Sequence, residues 1–229
     1  MITSRQNPLF KRVKNALRDH DREIVLEGRK QVADAVASGW KPIAVITRGE
    51  TFTSALFDQL SDTRSPQEVI ALFERPHATF ADLRKSDSLI VALDGVQDPG
   101  NVGTIVRLAA AFDCAGVALL PGCADAFAPK AIRASAGAVL IVPIASVTPH
   151  DLLHSKLPIY AADAEGEVIA PPPSKAILVF GNEGSGVSDE ISVRATPIGI
   201  AMSPRVESLN VASAAAILLA KSYEARRGR

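Results

Sequence analysis

Polar residues that could do chemistry stand in three stretches of this sequence, each placed where an apolar run ends. In "LDGVQDPGNVGTIVRLAAAF" (93–112), Asp98, Pro99, Gly100 and Asn101 read as a turn after a strand, with Asn101 as N-cap of the helix that follows. Arg107 sits in that helix among Val102, Ile105, Val106, Leu108, Ala109, Ala110, Ala111 and Phe112. A guanidinium so placed needs an anionic partner or a snorkelling route to water, and a structural ion pair is the plainer alternative to a functional contact. In "IAMSPRVESLNVASAAAILLA" (200–220), Ser208 and Asn210 precede a nearly apolar helix. Its small residues, Ala212, Ser213, Ala214, Ala215 and Ala216, permit close approach of another helix, inside the fold or across a dimer. The plainer reading makes Ser208 an N-cap and Asn210 a first-turn residue.

The third stretch, "VFGNEGSG" (179–186), runs from a strand into a glycine-rich turn of the shape that cradles phosphates with backbone N–H groups. Glu183 in its middle argues against that ligand, because a carboxylate repels a phosphate by several kcal/mol at close range in a poorly screened site. The loop also lacks the Lys-Ser/Thr ending of a P-loop and the GxGxxG spacing of a dinucleotide site. A ligand that is cationic near its reactive centre suits it better, and S-adenosylmethionine, with its sulfonium, is one. Otherwise Glu183 caps the "SDEISV" segment.

The elements that must position these stretches alternate. "LIVALDGV" is a continuous apolar run of the kind found in strands buried on both faces. Helix and strand patterns then follow in turn to a final helix, "SLNVASAAAILLAKSYEARR", with "PIGIAM" as the last strand. A purely parallel α/β sheet is expected. Ligands in such sheets sit beyond the carboxyl ends of the strands, where all three of these stretches fall. Residues 1–74 form a smaller α/β block ("EIVLEG", "RKQVADAVASGW", "PIAVIT", "TFTSALFDQL", "EVIALFE"), residues 75–87 a linker, and residues 88–229 the second block.

With 229 residues and 47% hydrophobic composition the chain buries a sizeable core. No apolar run approaches the ~20 residues of a membrane span, and the opening has no signal-length apolar stretch. Cys114 and Cys123 fit no CxxC or disulfide pattern and read as reduced thiols of a cytoplasmic protein. His150 and His154 are four apart in "HDLLH", but no third ligand is evident, so no metal is expected. Asp163 and Glu165 read as a solvated turn. The net charge is zero, yet residues 1–18 carry Arg5, Lys11, Arg12, Lys14 and Arg18 and no acid, and the chain ends "RRGR". Lys11, Lys14 and Arg18 share one face of a helix, either a solvated face or an electrostatic contact with nucleic-acid backbone; Arg29 joins this basic set.

In order and spacing, "DPGNVGTIVRLAAAF", "LVFGNEGSGVS" and "IAMSPRVESLNVASAAAILL" resemble the three motifs of the SpoU/TrmH family of RNA ribose 2'-O-methyltransferases, in the SPOUT superfamily. The resemblance spans residues 89–225. "SRQNPLFKRVKNAL", "LEGRKQVADAV" and "SPQEVIALF" are similar to the ribosomal-protein-like RNA-binding domain many of these enzymes carry, although a glycine often stands where this chain has Glu68 or Val69.

The resemblance implies a parallel α/β sheet with a C-terminal trefoil knot, preceded by a small α/β domain. It implies S-adenosylmethionine bound at Gly181, Ile200 and Leu209, with Ala162, Asn182 and Met202 as neighbours. It implies a catalytic and RNA-positioning set of Asn101, Arg107, Glu183, Ser208 and Asn210, working in a homodimer. The family is often assigned an arginine as general base, here Arg107. A guanidinium almost never deprotonates, so the physically easier role is binding the adjacent phosphate and stabilising the developing alkoxide. Ribosomal RNA is favoured over transfer RNA as substrate. A non-catalytic RNA-binding protein of the same fold and a nucleotide-dependent α/β enzyme are the competing readings.

Overall fold

The apolar run Val69–Glu74 becomes the middle strand of a three-stranded sheet in the computed structural model, which describes residues 1–61, 67–168 and 170–227. The chain divides into two compact units, one of Met1–Pro76 with Phe127–Ile132, the other of His77–Ala126 with Arg133–Arg229.

The first unit contains α1 (Pro8–Ala16), β1 (Glu23–Glu27), α2 (Arg29–Ala37), β2 (Pro42–Thr47), the short α3 (Ser54–Phe57) and β3 (Val69–Glu74). The sheet order is β1-β3-β2 with both pairings antiparallel. Being central explains why β3 is buried from Val69 to Phe73 while β2, an edge, is not. Asn7 caps α1 by accepting from the Leu9 N–H at 2.9 Å, with Pro8 at the first helical position. That helix buries Phe10, Val13 and Ala16 against Ile46, Phe52, Phe57 and Ile70 and leaves Lys11, Arg12 and Lys14 exposed. The residues Ser65 and Pro66 that open "SPQEVIALF", and the last two of "RRGR", lie outside the described residues.

The second unit contains α4 (Phe80–Leu83), β4 (Ile90–Asp94), α5 (Pro99–Ala111), β5 (Gly116–Leu119), the end of α6 (Pro129–Ser135, whose first four residues fall in the first unit), a 3-10 turn (Ala138–Leu140), β6 (Ile144–Ser146), α7 (Pro149–Leu153), β7 (Ile159–Ala162), β8 (Ile177–Gly181), α8 (Asp189–Ser192), β9 (Thr196–Ile198) and α9 (Val211–Arg227). Residues 77–87, read as linker, pack onto this unit. Thr79 and Asp82 form a reciprocal capping box on α4, and Leu83 is fully buried beside Ile90 and Ala118. Six strands, in the order β6-β5-β4-β8-β7-β9, are all parallel, as the alternation of elements requires. From β4 the chain builds outward one way through β5 and β6, then crosses to the other side. The β4–β8 junction is thus the switch point beyond whose strand ends a ligand crevice forms. Ala212, Ala215, Leu218 and Leu219 bury one side of α9, which packs on α5.

Two boundaries differ from expectation. The last strand ends at Ile198 rather than running on through Met202, because Gly199 lies so close to the Gly166 backbone that the chain turns out of the sheet there. The expected helix "PKAIRASAGAV" is broken after Ser135, since Ala136 and Gly137 take φ of 49° and 91°. Burial pushes the Cys114 thiol up to about 12 and the Cys123 thiol upward too, so both free thiols stay protonated and unreactive at neutral pH.

Candidate active site

Asp94, at the end of β4, is in register with Gly181, at the end of β8, so the loops that leave these strands begin side by side. After Asp94 the chain turns through Gly95, whose φ of +69° is open to glycine without steric cost. Asp98 then caps α5. Its Oδ1 accepts from the backbone N–H groups of Gly100 at 2.6 Å and Asn101 at 3.1 Å, and Pro99 takes the first helical position. The expected cap, Asn101, is thereby corrected to Asp98, which releases the Asn101 side chain for other partners.

Those partners come from the other two stretches. Asn101 Nδ2 donates to Glu183 Oε1 at 2.9 Å, and Asn101 Oδ1 accepts from Asn210 Nδ2 at 3.2 Å. The backbone N–H groups of Gln97 and Asp98 approach the same carboxylate at 3.3 and 3.4 Å. Asn210 Oδ1 accepts from the N–H groups of Ala212 and Ser213 at 2.9 and 3.3 Å, so Asn210, not Ser208, caps α9. Hydrogen-bond donation therefore runs one way, from the first turn of α9 through Asn210 and Asn101 to Glu183.

Burial pushes the Glu183 carboxyl up, but hydrogen bonds from Asn101 and from the backbone at Glu183, Gln97 and Asp98 outweigh it and hold the group below its ordinary 4.5. Glu183 is then a charged acceptor at neutral pH and a poor proton acceptor for a sugar hydroxyl. A depressed carboxyl stabilises the fold fully above its unfolded-state value and loses that contribution as pH falls through the folded-state value. Glu183→Gln is accordingly expected to lower Tm at neutral pH, with the gap to wild type closing on acidification, in melts taken between about pH 3 and 7. A gap of equal size at both ends would contradict the assignment.

A cleft of about 590 Å³ is lined by Ala162, Gly181, Asn182, Ile200, Met202 and Leu209 and also by Glu183, Ser208 and Asn210. That volume suits a ligand of cofactor size. The glycine-rich loop beside it is tied to the protein. Asn182 and Gly186 exchange backbone hydrogen bonds at 2.9 Å each, the N–H groups of Gly184 and Ser185 bond to Asn182 Oδ1 at 2.8 and 3.2 Å, and Ser188 N–H reaches Asp94 Oδ2 at 2.8 Å. The amides that a phosphate cradle would turn toward its ligand are already engaged, which accounts for a carboxylate in the middle of the loop.

Arg107 stands apart. It is six residues beyond Asn101, about 120° around the helix and about 9 Å along it, and it does not line the cleft. Its side chain reaches solvent, and among the described residues none forms an ion pair or hydrogen bond with it, so the structural ion pair is absent and the snorkelling route is taken. Of the basic set, Arg12 pairs with Glu23 and Arg29 with Glu68, while Arg5, Lys11 and Lys14 are exposed without an ion pair among the described residues. Lys14 and Arg18 line one hollow with Leu17 and Ser61. The His150 and His154 rings stack 3.9 Å apart, and among the described residues no group of three side chains could hold a metal.

Sequence reading gave no role to Asp94, or to the Gln97 and Asp98 amides, beyond making a turn. Their partners in the 182–188 loop lie far away along the chain, and no spacing announces such a pairing.

Residues 88–220 match the SpoU rRNA Methylase family. The chain is 30% identical to an uncharacterized tRNA/rRNA methyltransferase of Synechocystis sp., covering 99% of this chain and 93% of that protein. It is 30% identical to a 23S rRNA (guanosine(2553)-2'-O)-methyltransferase of Bacillus subtilis, covering 86% of each. Its structure is similar to that of an AdoMet-bound rRNA methyltransferase from Sinorhizobium meliloti, with a TM-score of 0.85, 29% identity, and coverage of 99% of this chain and 97% of that one.

Proposed function

Since the chain belongs to the SpoU rRNA Methylase family, we propose that it transfers the methyl group of S-adenosylmethionine to a ribose 2'-hydroxyl of a structured RNA, ribosomal RNA in preference to transfer RNA. The observation that carries this reading is the meeting of Asn101, Glu183 and Asn210 in one cluster beside a cleft whose glycine loop keeps its amides for itself. The B. subtilis relative, named as acting on 23S rRNA, supports the choice of substrate.

The cleft residues fit the cofactor: small and apolar side chains at Ala162, Gly181, Ile200, Met202 and Leu209 for an adenosyl group, and a carboxylate rather than a phosphate cradle nearby. Bound there, S-adenosylmethionine supplies a methyl group on a cationic sulfonium that departs as a neutral thioether. Holding the ribose in line is then the main task, worth several kcal/mol in orientation. Glu183, charged and occupied by donors, fixes Asn101. Ser208, exposed at the cleft, is placed to hydrogen-bond the RNA. Arg107, with no protein acceptor, binds the phosphate beside the target ribose and stabilises the developing alkoxide, while the proton passes to solvent.

Because Arg107 does not line the cleft of its own chain, the proposal includes a homodimer that brings the two together, with the exposed Ser213 and half-buried Ala214 and Ala216 of α9 at the interface. It also includes a trefoil knot. The close backbone approach of Gly166 and Gly199 is the kind of contact that threading one loop through another demands. Residues 1–74 act as the RNA-binding domain, through Arg5, Lys11, Lys14 and Arg18 first, since Arg12 and Arg29 must leave Glu23 and Glu68 to contribute.

Calorimetry with S-adenosylmethionine and with ATP tests the cofactor: binding of ATP alone overturns the reading. Replacing Lys11, Lys14 and Arg18 together with glutamate should weaken RNA binding and flatten the slope of log affinity against log salt by about 2–3. An unchanged slope removes these residues from the RNA contact.

A further inference from the structure

We propose that Asn182 is a positioning residue that presets the glycine-rich loop and couples it to the turn orienting Glu183, an assignment that rests on the methyltransferase reading above. Asn182 lines the cleft, yet it has little left to offer a ligand. Its backbone N–H and C=O both pair with Gly186. Its Oδ1 accepts from the Gly184 and Ser185 N–H groups at 2.8 and 3.2 Å. Its Nδ2 donates to the Gly95 carbonyl at 2.8 Å.

The two ends of that amide do different work. The Oδ1 end folds the loop onto itself, which shapes one wall of the cleft before any ligand arrives. The Nδ2 end holds Gly95, two and three residues before the amides of Gln97 and Asp98 that steady Glu183. With Ser188 on Asp94 and the Gln97, Asp98 and Asn101 donors on Glu183, it ties the 94–101 segment to the 182–188 segment. Loss of the Oδ1 end should loosen the cofactor wall, and loss of the Nδ2 end should shift Glu183 and Asn101 relative to the cofactor.

Substitutions separate the ends. Asn182→Ala removes both. Asn182→Asp keeps an acceptor for Gly184 and Ser185 but sets an oxygen against the Gly95 carbonyl. Asn182→Ser keeps a shorter acceptor two residues before Gly184 and has no reach to Gly95. In Asn182→Ala, S-adenosylmethionine affinity should fall about tenfold and turnover about a hundredfold, the scale of a misplaced catalytic group. In Asn182→Asp and Asn182→Ser, affinity should stay within about threefold of wild type while turnover falls at least about tenfold.

Amide exchange at Gly184 and Ser185 reads the loop without any ligand: faster in the alanine variant, protected in the aspartate variant. Equal loss of affinity in the alanine and aspartate variants, or unchanged exchange in Asn182→Ala, overturns the assignment. Should Asn182→Ala fail to fold, the aspartate and serine variants carry the same split between affinity and turnover. Failure of the wild type to bind S-adenosylmethionine would sink the methyltransferase reading instead, and the exchange rates would then decide the role of Asn182 alone.

Discussion

Arg107→Ala is expected to lower turnover by about 10²–10³-fold while leaving Tm and S-adenosylmethionine affinity at wild-type values. The guanidinium is exposed and has no protein partner among the described residues, so its removal breaks no intramolecular contact and leaves no buried group unsatisfied. Surface substitutions of this kind change stability by less than about 0.5 kcal/mol. It also lies outside the cleft lining of its own chain, and the contact assigned to it across the dimer is with the RNA phosphate, not the cofactor. What it loses is a cation with a planar fork of donors matched to a phosphate. Arg107→Lys keeps the charge without the fork and should fall between the two. The measurements are methyl transfer under single-turnover conditions, calorimetry and a thermal melt. Near-wild-type methylation by Arg107→Ala would remove it from the reaction.

Gly181→Ala should weaken S-adenosylmethionine binding by at least about a hundredfold or destabilise the unit by about 2–4 kcal/mol. A Cβ at this position would overlap the backbone of Gly186 and Val187. Backbone held by two hydrogen bonds between Asn182 and Gly186 cannot yield as a flexible side chain would. The loop must therefore open, and the cleft wall goes with it. Gly184→Ala is the control, because its added Cβ would make an ordinary contact with Asn182 Oδ1 at 3.5 Å. That variant should bind the cofactor within about threefold of wild type. If both substitutions behave alike, the close approach at Gly181 is not what shapes the site.

Periodicity made the parallel sheet legible, because strands buried on both faces read as unbroken apolar runs, as "LIVALD" and "AILVFG" do. It also placed the polar stretches at strand ends. Boundaries set by long-range backbone approach were not legible. The strand expected through Met202 stops at Ile198 because of Gly166, remote in sequence. The cap of α5 went to Asp98 instead of Asn101 because both residue types cap well and the choice depends on where the Asn101 amide finds Glu183 and Asn210. The carboxylate in the glycine loop signalled that phosphate was the wrong ligand, but the reason, a loop whose amides fold onto Asn182, needed the geometry. Arg12 and Arg29 read as part of a basic set, because only the fold brings Glu23 and Glu68 beside them.

Methyl transfer to a ribose 2'-hydroxyl of ribosomal RNA is read out by mapping 2'-O-methyl positions across total RNA with and without the protein. The expected result is a ribosomal RNA position that is methylated in the presence of the wild-type chain and unmethylated with Arg107→Ala. No change at any ribosomal RNA position would contradict it.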